Sequence, residues 1–428
     1  MKTTLQRFHL SLMLALVLCL GSGTLQAAGY ELLEMSATGQ SRALAVQAKF
    51  NDPSTLLMNP AGLGFMDEGF QVSVGGMLLL TSMRYEDPTG VRPGANVERW
   101  PPGTPVSFWG SYTPIKGLTA AVGVAYVPYG QVFKWPKGFA GEYYLDDADL
   151  RIPMMMVGLG YSPCDWFSVG AFFNASPSSL DLSQTFTVID DAGNPQRLTA
   201  NLLGKGTGYS GGVGIQVRPI DGLYFGASYR SQMTVNFDGD VDFAVSDSVS
   251  DQSVFHDQRV KTKFVTPDVF GFGIGYDFTD WLYLEYDMHY TLWSINKELV
   301  LDFPDDQSGM LSVTAPNDWK DTFTYRLGVE ITTFESWALR GGFGYDANPI
   351  PDETLTPTLP DCDRVFGGIG AQYWFDFGLN VALAWQGTWF VPRTVYPEDQ
   401  PELPSPMPQR YTNFANLITF SVGYGLKL

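Results

Sequence analysis

The chain is short of cysteine, histidine and positive charge, and each shortage removes a class of function. Of its three cysteines, Cys19 lies in an apolar stretch near the N-terminus, which leaves Cys164 and Cys362. Two such residues make neither a disulfide framework nor a zinc-binding spacing, so two free thiols are expected. Of three histidines, His9 shares that leading segment, and only His256 and His289 remain. Lys and Arg number 26 against 45 Asp and Glu, for a formal charge of −19. Nucleic acid is not an expected partner, since phosphate contacts need clustered Lys and Arg. Charged residues of either sign are 17%, against about 25% for soluble domains. Beyond residues 10–20, no run approaches the ~18 apolar residues that mark a membrane helix. No phosphate-binding glycine loop or nucleophile elbow is present. Some outer-membrane barrels are lipases with Ser and His on an outer strand face, but two histidines and no such motif imply no reaction. Glu285, Asp287 and His289 share one strand face in the manner of a metal or acid–base cluster. A polar lumen face accounts for them and in a barrel needs nothing further, so no enzyme, metal or cofactor is expected.

What the chain has in quantity is glycine, 46 residues, and aromatic side chains, 14%. Lys2 and Arg7, the apolar run 10–20 and the small Ala27 together read as an export signal over 1–27, cleaved after Ala27. Its loss leaves the mature chain more acidic still. An exported chain, rich in Gly and aromatics and lacking membrane helices, points to an outer-membrane β-barrel. A large secreted β protein is the competitor.

From Gly69 onward, apolar residues alternate with period two, as strands with one apolar face require. Ile418, Phe420, Val422, Tyr424 and Leu426 oppose Thr419, Ser421, Gly423, Gly425 and Lys427. Phe323, Tyr325, Leu327, Val329 and Ile331 likewise oppose a face carrying Arg326 and Glu330. Charges on that second face suit a barrel with a polar interior, although alternation alone does not exclude a soluble sandwich. The connections decide between them. Strands are predicted near 69–85, 105–113, 118–128, 149–161, 166–176, 207–217, 223–237, 264–277, 281–296, 320–332, 337–346, 363–375, 379–391 and 412–428. Short linkers such as Pro114-Ile115-Lys116-Gly117 alternate with long ones at 86–104, 129–148, 177–206, 238–263, 297–319, 347–362 and 392–411. Short turns at one rim and long loops at the other, with an even strand count, are the pattern of membrane barrels. Trp166, Trp281, Trp337, Tyr373 and Trp374 fall beside the turns, where interfacial girdles belong. The fold class is therefore all-β, a 14-stranded antiparallel transmembrane β-barrel over 69–428, preceded at 28–68 by a helical plug in its lumen.

That plug is read from dense helix punctuation. Residues 35–50 contain good helix formers at Ala43, Leu44, Ala45, Val46 and Ala48. Asp52 is placed to cap a short helix starting at Pro53, and Pro60 limits it to one or two turns. Asn59 is placed to cap a second turn starting at Pro60. Such a knot is too small to bury a core of its own, so it needs the barrel as container. An open general porin, the other rival, has no reason to keep it. In the long loops, Phe133, Trp135 and Phe139 around Lys134 and Lys137 form either an apolar landing site or a cover packed over the mouth. Residues 299–313 form a second apolar group of the same kind.

In this arrangement the chain resembles the FadL family of outer-membrane channels for long-chain fatty acids and, in the TodX-like branch, hydrocarbons. The residues that carry the likeness are Ala28-Gly29-Tyr30, the stretch 39–48, and Asn59-Pro60-Ala61, which matches the family's plug motif. It continues in Ser228-Tyr229-Arg230-Ser231 and Trp319-Lys320-Asp321-Thr322, and runs from Trp337 through Leu339-Arg340-Gly341-Gly342 to Asp363-Arg364. The segment 175–188 lacks an arginine where some members place a carboxylate ligand, which gives hydrocarbons weight as the alternative cargo. The resemblance implies uptake of long-chain fatty acids or similar hydrophobic molecules across the Gram-negative outer membrane, with plug gating and lateral release into the bilayer. It makes outer-membrane lipid and lipopolysaccharide the surroundings, and a monomer is expected. Ligand contacts are expected at Lys320, Phe133, Trp135 and Phe139, the gate at Asn59, Pro60 and Ala61, and the lateral exit at Gly123 and Pro128 of the third strand.

Overall fold

The computed structural model describes residues 31–33, 36–97, 104–141, 144–189, 195–244, 257–306, 312–401, 403 and 406–426. The export-signal reading, His9, Cys19 and His256 lie outside them. Fourteen strands form the wall: β1 Gly69–Glu86, β2 Val106–Ile115, β3 Leu118–Lys134, β4 Asp147–Cys164, β5 Phe167–Ile189, β6 Pro195–Ile220 and β7 Leu223–Arg230 make one half. β8 Val269–Thr279, β9 Leu282–Thr291, β10 Thr322–Phe334, β11 Trp337–Asp346, β12 Arg364–Trp374, β13 Leu379–Phe390 and β14 Gln409–Leu426 make the other. Each pairs antiparallel with its sequence neighbours, and β1 closes on β14 from Phe70↔Leu426 to Glu86↔Arg410. Closure leaves no edge strand, the condition for strands surrounded by lipid.

The direction of the alternation rules out a sandwich. On β14, Ile418, Phe420, Val422 and Tyr424 face outward and are exposed, while Thr419 and Ser421 are buried. On β10, Leu327 is 50% exposed and its neighbour Arg326 only 7%. The apolar face looks out and the polar face in, the reverse of a soluble core. Trp166, Trp281, Trp337 and Trp374 stand exposed beside the short turns. Gly117, Gly222 and Gly378 take φ of +88°, +79° and +92° in three of those turns, a conformation open to residues without a Cβ.

The long connections differ from the sequence reading. Strands β5 and β6 run 23 and 26 residues, so most of 177–206 is ladder, from Phe167↔Val217 up to Ile189↔Pro195. The predicted strand 223–237 is two strands, because β7 ends at Arg230 and Met233–Ala244 leaves the wall. That strand pairs with Gln258–Thr266 and with the upper part of β6. Another hairpin, Glu298–Asp302 with Val313–Pro316, occupies much of 297–319. Backbone groups beyond the bilayer still need partners, and these segments find them in each other.

The N-terminal segment crosses the lumen. It contacts β5 through Ser168, β9 through Glu285 and β14 through Leu417 and Thr419. Its helical content is smaller than predicted. A single helix over 35–50 is replaced by α1, Ala37–Ser41, followed by α2, Thr55–Met58, and a 3-10 turn, Pro60–Phe65. Asp52 caps nothing at Pro53; its carboxylate accepts from Ser54 N at 2.9 Å, and α2 starts at Thr55.

Candidate functional site

Helix propensity at 43–48 yields to the wall. Ala43 and Leu44 take left-handed φ of 52° and 61°, which stops α1 and turns the next amides outward. Val46 N and Gln47 N donate to Asp287 Oδ2 at 2.7 and 3.0 Å, and Ala48 N donates to Glu285 Oε1 at 2.6 Å. Glu285 Oε2 receives Arg42 Nη2 and the Tyr283 hydroxyl, both at 2.5 Å. Burial alone pushes the Arg42 guanidinium down, but Glu285 and its neighbours hold it above the ordinary value, so the ion pair persists. His289 completes the row. Its Nδ1 lies 2.9 Å from Arg326 Nη1, a donor only, so Nδ1 accepts. Its Nε2 lies 2.9 Å from the Gln47 amide. The acidic and histidine residues read from sequence as a lumen face are thus a bracket for the N-terminal segment.

Asn59-Pro60-Ala61 forms a second attachment. Asn59 caps the Pro60–Phe65 turn by accepting from Ala61 N at 3.2 Å. Its Nδ2 donates to Gln47 O at 2.8 Å and to Ile215 O of the wall at 3.2 Å. Ser168 Oγ donates to Ala61 O at 2.7 Å. The wall is shaved to admit this backbone. A Cβ at Gly160, Gly170, Gly214, Gly226, Gly342 or Gly368 would come within 3.0 Å of the N-terminal segment.

Above the segment the lumen is apolar. Leu56, Leu57 and Met58 join Met154 and Met156 of β4 in one buried cluster that reaches the loop residues Trp135, Phe139 and Leu355. The loop aromatics are a cover and not a free landing surface. Trp135 stacks on Phe139 at 4.2 Å, and its indole N–H donates to Pro357 O at 3.2 Å. Phe133 lies in β3, and its side chain is outside the described residues. Lys320 is exposed, next to Trp319, a buried member of that cluster that packs on Trp293 at 5.3 Å.

The third strand is irregular, but not at Gly123. There the ladders run evenly on both sides, to Trp109 and Met156, and an added Cβ would meet Trp109 and Leu56. Gly123 makes room and does not bend the strand. The break comes beside Pro128. Pairing with β4 jumps from Ala125↔Met154 to Tyr129↔Ile152, setting three residues against Pro153. Among the described residues, pairing with β2 ends at Ser107↔Ala125. The next ladder, β4 with β5, skips from Arg151↔Ser179 to Met155↔Ala175, across Pro153 and Pro177. Three prolines in adjacent strands withdraw donors at one level of the wall.

One feature escaped the sequence reading. A cavity of about 130 Å³ lies between residues 31–33 and β10–β14, lined by Leu33, Leu44, Phe366 and Phe390 together with Arg326 and Arg364. Arg326 on β10 and Arg364 on β12 are 38 positions apart, and only the barrel register joins them. At the turn-bearing end, a larger cavity of about 410 Å³ is lined by polar groups including Lys49, Asp52, Glu330 and Arg340.

Comparison with known proteins places this architecture. The model of a family described as outer membrane protein transport protein (OMPP1/FadL/TodX) matches residues 18–425. A putative outer membrane protein of Neisseria meningitidis is 24% identical over 83% of this chain and 86% of its own length. The long-chain fatty acid transport protein of Escherichia coli O6:H1 is 22% identical over 86% of this chain and 88% of its own. Among solved structures, a Pseudomonas aeruginosa FadL homologue superposes with a TM-score of 0.81 at 18% identity, covering 93% of this chain and 99% of that one. The P. putida toluene transporter TodX gives 0.72 at 15% identity, covering 95% and 100%.

Proposed function

Because the chain belongs to the OMPP1/FadL/TodX family of outer-membrane transport proteins, we propose that it takes up long-chain fatty acids or similar hydrophobic molecules, with the N-terminal segment as gate. The observation that carries this reading is the buried apolar cluster lying directly on a segment bolted to the wall. A porin for polar solutes has no use for methionine and leucine side chains packed across its bore. Lipopolysaccharide keeps apolar solutes from the bilayer surface, so a protein route past it is needed. The ligand enters beside the aromatic cover, with Lys320 as an outer contact for a charged head. Exposed ion contacts of this kind contribute at most about 1 kcal/mol, so Lys320 assists capture and does not set affinity.

Release is proposed to run sideways, where β3 loses register beside Pro128. Each buried CH₂ is worth about 0.8 kcal/mol, which makes exit into periplasmic water costly for a long chain and exit into lipid nearly free. Asn59, Pro60 and Ala61 hold the gate. Aromatic or aliphatic hydrocarbons are the alternative cargo, favoured by the lack of arginine over 175–188. The test is uptake of radiolabelled oleate and of radiolabelled toluene by cells that lack channels of their own and carry this protein. Accumulation of either above the empty-vector rate supports the reading, and accumulation of neither overturns it.

A further inference from the structure

We infer that the outward face of the sheet above the bilayer, from β4 across to Glu298–Asp302, docks the phosphates of lipopolysaccharide. The wall does not stop where the lipid does. Arg151, Ser179, Lys205, Asp238, Lys261 and Asp302 stand opposite one another in a single register row. On β6 this row prolongs the lipid-facing side, where Tyr209 and Val213 are exposed lower down. The opposite side of the same sheet is occupied, with Leu180, Phe237 and Val260 buried in the apolar cluster over the bore. One side of the sheet thus belongs to the protein and the other to what surrounds it.

The charges on the outward side are sorted by height. Nearest the lipid, Pro177↔Thr207 and Asn236↔Lys263 bring a cation and no acid. In the row of Lys205, the cations Arg151, Lys205 and Lys261 outnumber the acids Asp238 and Asp302. Above it, Asp149↔Asp181 and Asp240↔Arg259 reverse the balance, and Arg259 is already spent on Asp305 at 2.8 Å. Burial, with Asp147 and Asp149 beside it, pushes the Asp181 carboxyl up, as a row short of cations would. A merely solvated face has no reason to place positive charge toward the lipid and negative charge away from it. Among the described residues, Lys205, Lys261 and Lys263 are exposed and make no ion pair. Two shallow grooves of about 480 and 590 Å³ meet at Asp238, one lined by Lys261 and Lys263, the other by Arg151 and Lys205. Lys205 and Lys261 are two strand spacings apart, about 10 Å, a separation that phosphates on a disaccharide span. Lys263 lies two residues below Lys261, as Thr207 lies below Lys205, which puts it about 7 Å above the apolar row of Tyr209. That is about the depth of a headgroup layer. The long-loop rim of such a barrel faces outward, where the leaflet is lipopolysaccharide and its glucosamine headgroup carries phosphate.

The experiment titrates the refolded full-length protein, in a neutral-headgroup detergent and free of native lipid, with rough-type lipopolysaccharide, read by native mass spectrometry. Wild type is expected to bind at least about tenfold more tightly than the K205Q/K261Q/K263Q variant, since each lysine beside membrane phosphates contributes separately. Asp238→Asn removes the acid between Lys205 and Lys261 and is expected to tighten binding severalfold, the opposite sign to damage. Dephosphorylated lipopolysaccharide should bind wild type no better than the triple variant binds the intact lipid. Heat-modifiable gel mobility reports whether each variant is folded. Equal affinity of wild type and triple variant overturns the inference, as does binding that survives dephosphorylation. Phosphatidylglycerol bound as tightly as lipopolysaccharide also overturns it, because the surface would then hold any lipid phosphate. Oleate uptake is not a readout here, so each of these outcomes leaves the cargo reading untouched.

Discussion

Asn59 uses its whole amide. The oxygen caps a turn, while the nitrogen bridges a backbone carbonyl of the N-terminal segment and one of the wall. Asn59→Ala removes all three bonds and is expected to loosen the segment by about 2 kcal/mol. The barrel should keep its heat-modifiable mobility while the rate of labelled oleate uptake changes. A variant that fails to reach the outer membrane would make Asn59 a folding element instead. Cys362 gives a second test at this scale. Burial, with Asp361 adding to it, pushes its thiol up to about 12. It is therefore protonated at pH 8, and a maleimide should label Cys164 in the native mature protein and both thiols only after denaturation. Labelling of Cys362 in the folded state would contradict the packed loop cover. The contribution of Asn59 was legible because capping is local chemistry, with Asn59, Pro60 and Ala61 adjacent in sequence. Arg326 and Arg364 were not, since neither carries a local signal and β11 lies between them.

Among the elements, strands could be read and their limits could not. Alternation on β10 and β14 marks the lipid face because the bilayer acts uniformly on every outward residue. The upper ladders of β5 and β6 keep that period, with Leu180, Leu182, Phe186 and Val188 on one strand and Leu198, Ala200 and Leu202 on the other, but the many polar residues between them read as loop. The N-terminal segment misled for a different reason. Ala43, Leu44 and Ala45 favour helix, yet Glu285 and Asp287 take the amides that a helix would use, a tertiary override that only the closed barrel reveals. Two predictions belong here. Gly170→Val would drive a side chain into the Pro60 carbonyl, so it should displace the Pro60–Phe65 turn and raise single-channel conductance without unfolding the wall. Unchanged conductance would mean that the turn is not part of the seal. Cysteines at 105 and 127, two positions beyond Ser107↔Ala125 in the β2–β3 register, should bridge the break in the wall when oxidised. Oleate uptake should then fall severalfold and return on reduction. Uptake indifferent to the bridge would move release from the third strand to the periplasmic end.

For the whole molecule, the account is of a closed barrel whose bore is sealed by its own N-terminus and greased above the seal. Fourteen strands, closed β1 to β14, were legible from period-two alternation and linker lengths together. That the N-terminal segment sits inside the barrel was legible as a need, because a knot of short turns has no core without a container. How it is held was not, since the bracket comes from residues of β6, β9 and β14 that are far apart in sequence. The most direct measurement compares the flux of labelled oleate with that of a small polar sugar in cells carrying either the full chain or one lacking residues 31–66. The full chain should admit oleate and exclude the sugar, and the deletion should admit the sugar freely. Passage of the sugar through the full chain at the rate of the deletion would contradict the account, because the barrel would then be an open porin.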